Sequence, residues 1–125
     1  MVVVFANNQT LVTVQGTQTI IYTDPVPLGN NDRLSVMLDT HSIVKGGDIT
    51  TGTLTYLAQV SNDGGQNYVD SSTVTDQTTT TGVRQIVGTI NGALVRFKFT
   101  YVASGGTNGA FAGVCFDLHV NMDHV

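Results

Sequence analysis

The chain has 125 residues, of which 41% are hydrophobic and 11% charged, and its formal net charge is −4. This length fits a single domain, residues 1–125, built around one core. Five basic residues cannot neutralise a run of phosphates, which argues against nucleic-acid binding, and the apolar run Met1–Ala6 is too short to span a membrane.

The residue types indicate an all-β fold. Glutamate and tryptophan are absent, all nine acidic residues are Asp, and Thr and Val together make up close to a third of the chain. Thr and Val are β-branched and favour strands, whereas Asp, Asn and Gly favour turns. The single cysteine, Cys115, excludes an internal disulfide bond.

The first eight residues, 1–8, are predicted to form either an edge strand or an N-terminal arm. An exposed run of large apolar side chains at this end would promote aggregation. We therefore expect these side chains to be buried, either in the chain's own sheet or against a neighbouring subunit. The residues concerned are Val2, Val3, Val4 and Phe5.

Alternation of apolar and polar residues is typical of half-buried strands, and it continues through the middle of the chain. The stretch Ser71–Thr81 is instead rich in Thr and Ser and low in complexity, so it is predicted to be a loop. Strands are predicted at Leu11–Val14, Thr17–Thr23, Arg33–Asp39, Thr53–Val60 and Gly82–Ile90.

The segment from Ser61 to Tyr68 resembles the Asp-box hairpin of sialidases and other β-proteins, S-x-D-x-G-x-T-W. Ser61, Asp63 and Gly65 match the motif, and Tyr68 replaces its Trp. An Asp can accept backbone N–H bonds across such a turn, while Gly adopts a positive φ. The resemblance implies a structural turn rather than a catalytic site. A calcium loop is an alternative, although only Asp63 and Asp70 offer carboxylates here.

The two longest regular strands are predicted at the end of the chain, at Ala93–Ala103 and Phe111–Met122. We expect them to pair as a hairpin near the middle of a sheet. Asn91-Gly92, the strongest hairpin dipeptide of the chain, is predicted to turn into the first of them. About eight strands in this length favour a two-sheet β-sandwich of jelly-roll or related Greek-key type.

No arrangement of residues predicts catalysis, a metal site or a cofactor, so we expect the chain not to be an enzyme. The row Asp117, His119, Asn121, Asp123 on the last strand lacks the usual zinc spacing. Its acids are predicted to pair with Arg96 and Lys98 of the neighbouring strand. His41 follows Asp39 at a strand end, with no other chemically active residue near it in the sequence.

Taken whole, the chain resembles the small decoration, or cement, proteins of tailed-bacteriophage capsids. The resemblance lies in its size, its Thr-, Val-, Gly- and Asn-rich composition, the strand–turn–strand segment Tyr56–Asp70 and the long final strands. It implies a non-catalytic virion protein, made in the host cytoplasm, on the outer surface of the major capsid protein shell. It also implies self-association, for which we expect a homotrimer first and a dimer next.

The alternative function is a carbohydrate-binding or adhesion module. β-Sandwiches often serve this role, and loops rich in Asn, Asp and Gly can bind sugar hydroxyls. Sugar platforms usually need exposed aromatic side chains, for which Tyr22 and Tyr68 are the candidates.

Overall fold

The computed structural model describes all residues from Met1 to Val125 and contains strands but no helix, which confirms the all-β prediction. The chain therefore has no helix that could cross a membrane. The strands are β1 (Val2–Val14), β2 (Gln18–Tyr22), β3 (Val26–Pro27), β4 (Arg33–Lys45), β5 (Thr51–Ser61), β6 (Val69–Thr78), β7 (Gly82–Thr89), β8 (Leu94–Ser104) and β9 (Phe111–Asp123).

The strands form two antiparallel sheets that pack face to face. One sheet has four strands in the order β1-β9-β4-β7; the other has five, in the order β2-β8-β5-β6 with β3 also paired to β8. Successive strands mostly alternate between the sheets, so that only β5 and β6 are both consecutive and hydrogen-bonded to each other. This is the connectivity of a jelly roll, and the predicted two-sheet sandwich is confirmed.

Both predicted hairpins in the last third of the chain are wrong. The strands at Ala93–Ala103 and Phe111–Met122 exist as β8 and β9, but they lie in different sheets. Asn91-Gly92 connects β7 to β8 and therefore also crosses between sheets. Alternation identifies the buried face of a strand but does not identify its neighbour. Each of the two strands is nevertheless central in its own sheet.

The predicted loop at Ser71–Thr81 is also wrong, because most of it belongs to β6, which pairs with β5. Only Val74 and Thr78 of this strand are buried. The ladder shifts register between Leu57 and Gln59 of β5, so β6 carries extra residues there. An irregular edge strand with two buried side chains leaves no apolar alternation in the sequence.

The core lies between the sheets and is lined by alternate residues of the long strands. Aromatic rings join the two layers: Phe99 of β8 and Phe116 of β9 have ring centroids 4.7 Å apart. Phe5 of β1 meets Phe97 of β8 edge to face at 4.9 Å. Such pairs stabilise a sandwich beyond the burial of their area.

Candidate functional site

The outer surface of the four-stranded sheet, which we call the apolar face, carries most of the exposed apolar side chains. Of the fourteen large hydrophobic residues that are exposed, nine belong to its strands β1, β4, β7 and β9. A concentration of this kind on one surface is typical of a site that binds another molecule. The nine residues are Val2, Val4, Val12, Val14, Met37, Val44, Val83, Val87 and Phe111.

A shallow groove crosses one end of the apolar face at Gly113. This residue lies opposite Val12 of β1 and Val44 of β4 in the two ladders of β9. Because glycine has no side chain, the valines form the walls, and Phe111 and Cys115 line the groove along β9. Its volume of about 290 Å³ lies at the low end of small-molecule pockets. It is better suited to a single protruding side chain.

An ionic centre of Asp39, His41 and Asp117 lies in the middle of the same face. Asp39 of β4 and Asp117 of β9 are directly opposite each other. The ladder shifts register between Thr40 and Ser42, so His41 is an extra residue in β4 and forms a bulge. Its Nε2 lies 2.8 Å from Oδ2 of Asp117, and its Nδ1 lies 3.7 Å from Oδ2 of Asp39.

A second irregularity, in β1, completes the ionic centre. Asn8 has a φ of +49°, the only positive value of any non-glycine residue, and its backbone N–H donates to Oδ1 of Asp117 at 2.6 Å. This hydrogen bond, and after it the contact with His41, holds the pKa of Asp117 below its usual range. The carboxylate thus ties β1 and β4 to β9 across the outside of the sheet.

Sequence reasoning missed this centre. The predicted strand ends at Asp39, so that His41 is expected beyond it, and nothing in the sequence shows that Asp117 lies opposite them. One potential ligand atom from each residue lies within 4.8 Å of the others, a spacing that could hold a metal ion. The direct contact between His41 and Asp117 already supplies each with a partner, so the geometry supports an internal ionic contact.

The predicted pairing of Arg96 and Lys98 with the acids of β9 is wrong, because β8 and β9 lie in different sheets. Asp123 instead pairs with Arg33 of β4, whose Nε and Nη2 donate to its two carboxylate oxygens at 2.8 and 2.7 Å. These two hydrogen bonds and the ion pair lower the pKa of Asp123.

The N-terminal segment lies in β1, at the edge of the four-stranded sheet, where it pairs with β9. Val3 and Phe5 are half-buried and pack against the core, whereas Val2 and Val4 are exposed on the apolar face. The segment is therefore an edge strand of the chain's own sheet, and two of its valines remain free to contact a partner.

The hairpin between β5 and β6 is held by its own side chains. Ser61 Oγ accepts the backbone N–H of Gly65 at 3.0 Å and donates to Oδ1 of Asp63 at 2.8 Å. Asp63 in turn accepts the backbone N–H of Asn67 at 2.9 Å. This bond, followed by those from the Asn67 amide and Ser61, lowers the pKa of Asp63 from 3.8 to about 2. Gly65 has a φ of +90°, as the turn requires.

No protein-family model matches the sequence, and no curated protein matches it. Solved structures share its fold. The VP2 subviral particle of infectious bursal disease virus matches with a TM-score of 0.58 and 14% identity over 99% of this chain. The Gx strain of that virus matches with a TM-score of 0.51 and 10% identity over 96%. This chain spans only 32% and 30% of those two chains.

A further structural match is TmCBM61 in complex with β-1,4-galactotriose, with a TM-score of 0.45 and 11% identity over 91% of this chain and 70% of that chain. At these identities the viral matches show a shared architecture. The fold is a β-sandwich that also occurs in VP2 of infectious bursal disease virus.

Proposed function

We propose that this chain is a structural virion protein that decorates a bacteriophage capsid. In this role it binds the outer surface of the major capsid protein shell and stabilises it, after synthesis in the host cytoplasm. The apolar face is the observation that carries the proposal, because it provides a broad docking surface. The fold shared with VP2 of a viral particle and the resemblance to decoration proteins support it.

Docking of the apolar face would add binding free energy at the seams between shell subunits. Full burial of a Val or Phe side chain contributes roughly 1.5–3 kcal/mol. The nine exposed residues are already partly covered by their own sheet, so each would contribute less. The summed contribution of the nine residues to the binding free energy is still larger than that of a few exposed ion pairs, each of which contributes about 0–1 kcal/mol. A decorated shell should therefore resist heat better than an undecorated one.

The Gly113 groove gives this docking surface a specific feature. One large apolar side chain of the shell protein would insert between Val12 and Val44, as anchor residues do at the centres of other interfaces. The ionic centre begins four residues further along β9, at Asp117. Charged groups beside an apolar anchor fix the orientation of a partner more than they add affinity.

We also propose that the chain associates with itself, with a trimer favoured and a dimer next. β1 and β7 are the edges of the four-stranded sheet, and β6 is an edge of the other. Oligomers commonly cover such unpaired edges. Light scattering at micromolar concentration should give the mass of a trimer or dimer. A stable monomer would contradict self-association of the free chain.

Co-sedimentation with capsids that lack this chain tests the docking surface. We expect the single variants Val12→Asp and Val44→Asp to bind at least roughly tenfold more weakly, because each would bury an unpaired charge in the groove. Val69→Asp, on the five-stranded sheet, is the matched control, because Val69 is at least as exposed as the other two valines. Equal binding by all three folded variants would show that the apolar face is not the docking surface.

A further inference from the structure

Arg96 is held on the outer face of the five-stranded sheet by two tyrosines and a buried glutamine. Its guanidinium carbon lies 4.2 Å from the ring centroid of Tyr22 and 3.7 Å from that of Tyr68. Its Nε donates to Gln59 Oε1 at 2.9 Å, and the Gln59 amide donates to Asp70 Oδ1 at 2.7 Å. Because Gln59 is only 6% exposed, the guanidinium is fixed in position and orientation.

The fixed guanidinium has no acidic partner. Its two terminal nitrogens form neither a hydrogen bond nor an ion pair within the chain, whereas Arg33 and Arg84 are each bound to an Asp. Lys98 lies two residues along β8 on the same face, at a spacing of about 6.5–7 Å, and also has no partner. These two cations therefore lie side by side without an acidic partner, although the chain has a net charge of −4.

The surroundings of these cations indicate the chemistry of a ligand. The two terminal nitrogens of an arginine form a planar fork that matches a carboxylate. The hydroxyl groups of Tyr22 and Tyr68 donate to no group in the chain, and Tyr22 is 50% exposed. The cluster therefore offers two cations for a carboxylate, and two hydroxyls and an aromatic surface for a polyhydroxylated ring.

We propose that Arg96, Lys98, Tyr22 and Tyr68 form a binding site for an acidic saccharide, whose carboxylate binds Arg96 and Lys98. The carboxylate of a peptide could also pair with the two cations, but a peptide would leave the two phenolic hydroxyls without a hydrogen-bond partner. The site lies on the opposite side of the sandwich from the apolar face, so the two surfaces can be occupied together. Saccharide binding at this site does not depend on the capsid role.

Titration calorimetry on the full chain tests the site. The carboxylated probes are oligogalacturonate and sialyllactose, and their neutral counterparts are galacto-oligosaccharide and lactose. We expect at least one carboxylated probe to bind, and its neutral counterpart to bind at least tenfold more weakly. Arg96→Lys keeps the charge but loses the fork, so it should weaken binding roughly tenfold or more. Arg33→Lys is the matched control and should bind like the natural chain, because that guanidinium is engaged by Asp123.

If Arg96→Lys fails to fold, Lys98→Gln still tests the site, because Lys98 has no partner within the chain. Lys98→Gln should also weaken binding of the carboxylated probe. Equal binding of carboxylated and neutral sugars, or no binding of any probe, would overturn the proposal. Equally tight binding of a sulfated galacto-oligosaccharide, which carries no carboxylate, would overturn the preference for a carboxylate. Binding of a poly-aspartate peptide alone would assign the site to a protein partner. None of these outcomes bears on co-sedimentation with capsids, which probes the opposite face.

Discussion

Asp39 and Asp117 face each other across the β4–β9 ladder, and the bulged His41 contacts both carboxylates. Like charges directly opposite each other destabilise a pair of strands. The imidazole of His41 lies between the two carboxylates, with Nε2 2.8 Å from Oδ2 of Asp117 and Nδ1 3.7 Å from Oδ2 of Asp39, so that a protonated ring offsets this repulsion. The bulge in β4 is therefore part of what holds the outside of the four-stranded sheet together.

Replacement of this histidine tests that interpretation. We expect His41→Ala to lower the midpoint of urea unfolding at neutral pH, because it leaves the two carboxylates facing each other. In the His41→Ala variant, Asp39→Asn should restore part of the lost midpoint. In the natural chain, Asp39→Asn should not raise the midpoint. An equal effect of Asp39→Asn in both backgrounds would show that His41 does not couple to Asp39.

The hairpin carboxylate Asp63 should make stability depend on pH in the acid range. Its pKa is lowered from 3.8 to about 2 in the folded chain, so its ionised form stabilises the fold above pH 3.8. That stabilisation is lost as the pH falls from there towards 2. The stability difference between the natural chain and Asp63→Asn should therefore shrink over this range in chemical denaturation. Asp24→Asn, which removes an exposed carboxylate without a hydrogen bond, is the control, and an unchanging difference for Asp63→Asn would contradict the prediction.

Two glycines in strands should respond oppositely to alanine. A Cβ on Gly113 would meet its nearest neighbours at 3.7 Å, so Gly113→Ala should stabilise the fold by about 0.5–1 kcal/mol while partly filling the groove and weakening capsid binding. A Cβ on Gly52 would overlap the hydroxyl of the fully buried Tyr101, so Gly52→Ala should cost about 1–3 kcal/mol. Thermal unfolding measures both changes. Destabilisation by Gly113→Ala would mean that the groove has no room for a methyl group.

Phe5 and Val4 should separate the structural from the binding role of the N-terminal strand. Phe5→Ala should cost up to about 1.5–3 kcal/mol of stability, because the ring packs on Phe97 inside the sandwich. Val4→Ala should leave stability nearly unchanged, since Val4 is 52% exposed, but it should weaken capsid binding. Differential scanning calorimetry and co-sedimentation together distinguish the two. A large stability loss in Val4→Ala would place that side chain in the core instead.

The sequence predicted which side chains are buried far better than which strands are neighbours. In β4, the apolar residues Leu34, Val36 and Leu38 occupy alternate positions, as expected for one face of a strand, and all three are fully buried. Alternation carries no record of sheet order, so β8 and β9 were expected to form a hairpin. A jelly roll crosses between its sheets at most turns, and a turn dipeptide such as Asn91-Gly92 can equally begin a crossing.

The candidate site was harder to predict from the sequence than the fold was, for a related reason. The apolar face consists of exposed apolar side chains, most of them valines, spread over four strands. They form one surface only when the order β1-β9-β4-β7 is known. The ionic centre requires in addition two bulges, at Asn8 and His41, which no local pattern reveals. Likewise, the two tyrosines that contact Arg96 come from β2 and from the β5–β6 hairpin, on either side of β8.

The central claim is that this chain is a structural component of a virion, attached through its apolar face. Quantitative mass spectrometry of purified virions tests it most directly. We expect many copies of the chain per particle, in a fixed ratio to the major capsid protein. Absence of the chain from purified particles would contradict the claim.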